Sequence, residues 1–354
     1  TSNLLLDGVT YFQVVFTIPD SLSALALGNR TEMLRLLFRS AWEALKETIE
    51  DEQGFEAAAM MVLHTWSQIL DAHAHVHAIV PGGGPALSGP ERWINSCRPG
   101  SRRRAKKRRK HYLVNEATLK ASFRDTFLAG LVKLHASGKL KLEGDEWGHL
   151  QDAAAFEEFL QPLREMTWVA FIQPPPKTRD GELASPEHVV KYLAKYLTGG
   201  PISSSRLLSH EDGKVTFLAR PGHKTGGSKE QVPVTVDGVE FVRLWSLYIL
   251  PKSFVKTRRY GGFSNYHRVR YLAECRRLLA PVVESPAATP SEVSTDSSSD
   301  DSSTDQADTD PAEEPWGPCC PSCGERMELT HSERRPSWRD TFAGPSRPRW
   351  YDDG

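Results

Sequence analysis

The run Asp71-Ala72-His73-Ala74-His75-Val76-His77-Ala78-Ile79-Val80-Pro81-Gly82-Gly83-Gly84 places a histidine at every second position, then turns apolar and ends in three glycines. Successive side chains of a β-strand point to opposite faces, so His73, His75 and His77 share one face. Ala74, Val76 and Ala78 share the other, which suits burial against a core. Neutral imidazoles side by side on a stiff strand form half of a metal site. Without a metal the same residues read as partly buried, hydrogen-bonded histidines.

Working outward, Ala57 to Trp66 is a second apolar strand, joined to the histidine strand by a short polar link at Gln68-Ile69-Leu70-Asp71. The two are expected to form a hairpin in the middle of a sheet. Residues 9–19 are β-branched and aromatic and stop at Pro19, a third strand. Apolar residues recur at helical spacing from Met33 to Leu45 and from Leu119 to Leu134, predicting helices to about residue 52 and over 115–136. Phe156–Leu163 reads as a short helix, and Thr167–Gln173 as a strand closed by three prolines. Two further short strands are expected over 215–219 and 232–236, with 239–250 helical or mixed.

Ser185-Pro186 opens another helix, with serine as N-cap and proline at the first helical position. Tyr192 and Tyr196 stand four apart on it, so their hydroxyls lie on one face, one turn from each other. Taken alone, such a pair is an ordinary core-edge packing feature. Lys195 sits between them.

The chain has 354 residues and a net charge of −1 that conceals an asymmetry. Residues 284–314 hold ten acids and no base; outside them 44 Lys and Arg face 35 Asp and Glu, an excess of nine positive charges. A basic body of this kind suits a polyanionic partner, above all nucleic acid. Eight of the nine residues from Arg102 to Lys110 are basic: Arg102, Arg103, Arg104, Lys106, Lys107, Arg108, Arg109 and Lys110. They read either as a solvated charge run or as a clamp on a phosphate backbone. Further on, Lys256, Arg258 and Arg259 interleave with Phe254, Tyr260 and Phe263, as cations and stacking surfaces do in single-strand binding. Ordinary surface basicity over core aromatics gives the same pattern.

Five cysteines are too few and too scattered for a disulfide framework, which points to a reducing cytoplasm. Cys320 and Cys323 form one C-x-x-C knuckle, half of a Zn2+ site that His331 or another chain would have to complete. No apolar run of membrane-spanning length is present, and no signal peptide is visible.

A metal-binding histidine strand followed by paired tyrosines, in a basic body, has a chemical logic. A divalent ion that polarises a phosphate makes tyrosine a useful nucleophile toward phosphorus. His75 and His77 are the expected ligands, and Gln68, at the hairpin entry, the expected third ligand through oxygen. Water and phosphate oxygens would complete a Mg2+ or Mn2+ site.

The chain resembles the two-tyrosine HUH transposases of rolling-circle insertion sequences, the IS ninety-one group. The matching stretches are Phe16-Thr17-Ile18-Pro19, His64-Thr65-Trp66-Ser67-Gln68, His75-Val76-His77, Val80-Pro81-Gly82-Gly83-Gly84 and Tyr192-x-x-x-Tyr196. They continue at Leu250-Pro251-Lys252-Ser253-Phe254-Val255-Lys256 and Arg259-Tyr260-Gly261-Gly262-Phe263, so that the match covers roughly residues 9–280 in order. The resemblance implies that His75 and His77 bind the metal and that Tyr192 and Tyr196 are nucleophiles. It implies nicking and transfer of single-stranded DNA at transposon ends and target through a 5′-phosphotyrosine, in the bacterial cytoplasm and on the nucleoid when DNA-bound. A rolling-circle replication initiator, an inactive DNA-binding derivative and a metal hydrolase using activated water remain as alternatives.

The expected fold class is α+β: a central antiparallel sheet with helices on one face, and a disordered acidic segment. The expected domains are a nuclease core over 1–200 with a basic insertion near 98–111, a basic DNA-binding part over 201–283, an acidic linker over 284–315 and a tail over 316–354.

Overall fold

The hairpin forms as expected. In the computed structural model, which describes residues 4–99, 111–175, 200–220 and 230–280, β2 (Ala58–Trp66) pairs antiparallel with β3 (Ala72–Pro81). β1 (Tyr11–Thr17) takes the other side of β3, and β6 (Val169–Gln173) the far side of β1. The sheet is completed by β10 (Thr257–Gly261) on β2, giving the order β10-β2-β3-β1-β6 with antiparallel neighbours throughout. The histidine strand is therefore central, flanked by two strands on each side.

Alternation divides this sheet into two unlike faces. One carries Phe12, Val14 and Phe16 of β1, Ala59, Met61 and Leu63 of β2, and Ala74, Val76, Ala78 and Val80 of β3, all in the main core. Against it pack α2 (Arg30–Gln53), α3 (Glu116–Ala136) and α5 (Ala153–Glu165), following the short α1 (Ser23–Gly28) and α4 (Gly144–Trp147) in chain order. The starts of α3 and α5 are fixed locally. Asn115 accepts from the backbone N–H groups of Ala117 and Thr118, and Asp152 from those of Ala154 and Ala155, satisfying donors that a helix start leaves unpaired. Trp168 wedges between Phe123 and Phe127 with ring centroids 5.4 and 5.3 Å away, and donates its indole N–H to the Leu163 carbonyl at 2.9 Å. Sheet and helices are thereby locked at the approach to β6.

The opposite face changes character along its length. At one end Tyr11, Ala58, Met60 and Ile79 are buried under Leu4, Leu6, Phe263 and α7 (Arg268–Leu279), the helix contributing Tyr271, Leu272 and Cys275. At the other end the same rows carry the histidines. α7 and β10 were not anticipated from the sequence, where Lys252–Arg270 read only as interleaved cations and aromatics. β10 is a basic edge strand whose residues divide by face. Arg258 lies over the rings of Phe38 (4.4 Å) and Phe254 (5.0 Å), and Tyr260 stacks on Trp42 at 5.3 Å, all on the helix side.

The stretch from 201 on also builds a small meander, β7 (Leu207–Glu211), β8 (Lys214–Ala219) and β9 (Val232–Asp237), with α6 (Gly238–Ser246). Its core of Phe217, Ala219 and Leu244 takes in Leu70 from the β2–β3 turn. A two-stranded ladder of β4 (Gly83–Pro85) and β5 (Trp93–Asn95) follows the histidine strand. All described residues fall in one unit, Thr1–Glu284, and β10 joins the central sheet across the boundary expected at 200/201. Among the described residues no helix is long and apolar enough to cross a membrane. The basic run Arg102–Lys110, the Tyr192–Tyr196 helix, the acidic segment and Cys320/Cys323 lie outside the described residues.

Candidate metal centre

Register brings a third histidine to the pair found by periodicity. In the β2–β3 ladder Val62 stands opposite His77 and His64 opposite His75. Directly opposed residues project from the same face, so His64, His75 and His77 converge. One ring nitrogen from each lies within 4.8 Å of the other two, and the ring centroids are 4.6 Å (His64–His77), 4.9 Å (His75–His77) and 5.3 Å (His64–His75) apart. His64 is buried and the other two partly so.

Each ring is held by neighbours. His75 Nδ1 donates to the His73 carbonyl at 2.8 Å, which directs its Nε2 toward the cluster. His77 Nδ1 is 2.7 Å from the Gln13 side-chain nitrogen. His64 stacks on Trp66 at 4.7 Å with 15° between planes; Lys256 Nζ sits 5.0 Å from the Trp66 ring centroid, and Tyr248 meets the same ring at 5.4 Å. His73 turns away to Asp20, with its Nδ1 3.2 Å from the carboxylate.

Burial is the largest cause holding His75 well below the ordinary histidine range, with His77 and His64 adding repulsion. Burial and then His64 push His77 down to about 3. Both rings are neutral at physiological pH, the form that offers a lone pair. The consequence for stability has a definite sign. Between pH 6.5 and about 3 an unfolded chain holds a proton on His77 that the folded chain refuses. Stability is therefore complete above that window and declines as pH falls through it, by on the order of 1 kcal/mol per pH unit for such a group. Chelator-treated protein is expected to show a melting midpoint that falls from pH 6.5 to 4, and His77→Gln is expected to flatten that slope. An unchanged slope in the variant would contradict the neutral cluster.

Gln68 stands at the hairpin entry, where the sequence reading put it, between β2 and β3. It is exposed in the Ser67–Asp71 turn, and its backbone carbonyl accepts from Arg206 Nη2 at 2.6 Å. The turn is pinned by Ser67 Oγ, which accepts from the N–H groups of Ile69 and Asp71, and by the buried Leu70 at φ 67°. The position next to His75 belongs to His64. Of the three cations foreseen in β10 and its approach, Lys256 and Arg259 lie on the histidine side of the sheet and Arg258 on the helix side.

An antiparallel sheet with its main helices on one face and three imidazoles converging on the other is the α+β arrangement expected from the motif order. Residues 58–270 match the family described as "Putative transposase" (Y2_Tnp), and the chain belongs to that family. It is 36% identical over 281 residues to "Putative transposase y4qJ" of Sinorhizobium fredii (strain NBRC 101917 / NGR234), covering 79% of this chain and 65% of the relative. With the "Transposase for insertion sequence element IS801" of Pseudomonas savastanoi pv. phaseolicola it shares 26% identity over 277 residues, 78% of this chain and 59% of the relative. The chain thus spans less than two thirds of either relative's length. Among solved structures it is similar to a metal-bound conjugative relaxase TrwC in complex with oriT DNA, at 15% identity and a TM-score of 0.25, over 54% of this chain and 73% of that one. A copper-bound form of the same complex matches at 13% identity and a TM-score of 0.26, covering 75% and 70%.

Proposed function

We propose that this chain nicks and rejoins single-stranded DNA in transposition, using a divalent metal held by His64, His75 and His77 and a tyrosine nucleophile, Tyr192 or Tyr196. The convergence of three imidazoles on the open end of the sheet, two of them held neutral by burial, is the observation that carries this reading. Three nitrogen donors suit Mn2+ and its later transition-metal neighbours better than Mg2+, which prefers oxygen. Bound there, such an ion supplies Lewis-acid polarisation of a phosphate oxygen.

The remaining chemistry falls to the chain. The tyrosine oxygen, losing its phenolic proton, attacks phosphorus. The new P–O(Tyr) bond replaces the P–O3′ bond, and the departing O3′ takes up a proton as a 3′-hydroxyl. The reverse attack by a hydroxyl end rejoins the strand without an external energy source, because the phosphotyrosine keeps the phosphodiester's energy. Two tyrosines four residues apart in the sequence allow two strands to be held in succession. Lys256 and Arg259 on the histidine side suit phosphates. Val169 and Phe171, about half exposed and in the same cross-sheet rows as His75 and His77, offer a surface for bases.

The test is denaturing electrophoresis of the protein with labelled single-stranded DNA from an element end and Mn2+. A shifted protein–DNA band is expected, lost with chelator and lost in the Tyr192→Phe/Tyr196→Phe double variant. Persistence of the adduct in the double variant would reject the tyrosine assignment, and cleavage without any adduct would favour activated water.

A further inference from the structure

β1 is apolar except where Gln13 and Thr17 break it on the histidine side of the sheet. Gln13 is 7% exposed, and its amide end is 2.7 Å from His77 Nδ1. Its other amide atom, Oε1, is buried with no hydrogen-bond partner. Burying a polar atom this way is costly, so the position calls for a reason.

A neutral imidazole carries one proton, on Nδ1 or on Nε2. With Nδ1 occupied by Gln13, the only ring atom of His77 that can serve as a ligand is Nε2. Nε2 can do so only if the proton resides on Nδ1, and Nδ1–H needs an acceptor. As placed, the amide nitrogen faces Nδ1, which favours the opposite tautomer. A half-turn of the amide about its terminal bond exchanges nitrogen for oxygen without moving the chain. Because Oε1 has no donor of its own, no hydrogen bond opposes that turn. His75 already uses the equivalent arrangement, its Nδ1 donating to the His73 carbonyl. A metal-bound histidine commonly donates its other N–H to an oxygen that sets ring orientation and tautomer.

We propose that Gln13 is the positioning residue for His77: its side-chain oxygen accepts the Nδ1 proton and so commits Nε2 to the metal. The proposal rests on the metal reading above and goes one shell beyond it. It predicts that an oxygen acceptor, rather than bulk or polarity, is what position 13 must supply.

The test uses the full chain and two readouts other than activity: imidazole 15N chemical shifts, which report the His77 tautomer, and the Mn2+ dissociation constant from calorimetry. Wild-type protein is expected to show the Nδ1–H tautomer. Gln13→Leu is expected to lose that preference and to bind Mn2+ about 10- to 100-fold more weakly, the usual cost of removing such a partner. Gln13→Glu, whose carboxylate accepts only, is expected to restore both. A wild-type Nε2–H tautomer, or a Gln13→Leu variant with unchanged tautomer and affinity, would overturn the proposal. Should Gln13→Leu not fold, Gln13→Glu decides: affinity weaker than wild type overturns the assignment, and equal or tighter affinity supports it. Failure of wild type to bind Mn2+ at all would reject the metal reading itself, while the wild-type tautomer would still judge Gln13.

Discussion

His75→Ala is expected to weaken Mn2+ binding by at least a hundredfold and to remove the covalent DNA adduct with it, while Gln68→Ala leaves both within about twofold. Even the outer partners of metal ligands are worth about 10–100-fold in affinity, so deleting a ligand atom should cost no less. His75 is the middle member of the cluster, opposed in register by His64 and two residues from His77. Its removal leaves two imidazoles and a gap that no described Asp, Glu or Cys fills. Gln68 is exposed beyond the end of β2, with its carbonyl rather than its side chain engaged. Calorimetry with Mn2+ and Mg2+ on wild type, His64→Ala, His75→Ala and Gln68→Ala checks the set. Mn2+ is expected to bind wild type at least tenfold more tightly than Mg2+, as an all-nitrogen donor set requires. A harmless His64→Ala together with a costly Gln68→Ala would return the third ligand to the glutamine oxygen.

His64 lay within reach of the sequence. The period of two that exposed His75 and His77 fixes only one strand. Pairing that strand back through the turn at Ser67–Asp71 sets Val62 against His77 and His64 against His75. The hairpin and both apolar faces were legible because alternation survives any local detail. β10 was not legible, because Thr257-Arg258-Arg259-Tyr260-Gly261 has no apolar alternation at all. It is held by the ladder to β2 and by aromatic surfaces: Arg258 lies against Phe38 and Phe254, and Tyr260 against Trp42. Phe38 and Trp42 come from α2, far away in the chain, and Phe254 from the loop just before the strand. Gln13 was illegible for another reason. A single polar residue in a strand carries no period, and its meaning depends on a ring 64 residues away.

The end of β10 supplies the largest expected stability effect. Gly261 has φ +56°, in the left-handed region, and a Cβ built there would lie 2.1 Å from the Ala57 carbonyl oxygen and 2.6 Å from the Trp42 ring. The carbonyl is backbone of the adjoining β2 approach and accepts from the Gly262 N–H, so it cannot step aside without breaking the pairing that anchors β10. Left-handed backbone costs a non-glycine residue about 1–2 kcal/mol, and overpacking a tight site about 1–3 kcal/mol more. Gly261→Ala is therefore expected to lose about 3 kcal/mol, a large share of the roughly 5–15 kcal/mol that holds a typical domain folded. Gly54 provides the control, since it ends α2 at φ +75° with nothing within 4 Å of its Cβ position. Gly54→Ala should incur the backbone strain alone, about 1 kcal/mol. Urea unfolding of the two variants separates strain from collision. A Gly261→Ala midpoint no lower than that of Gly54→Ala would show that β10 can leave β2 freely, and that Lys256 and Arg259 are not held to the histidine side of the sheet by this strand.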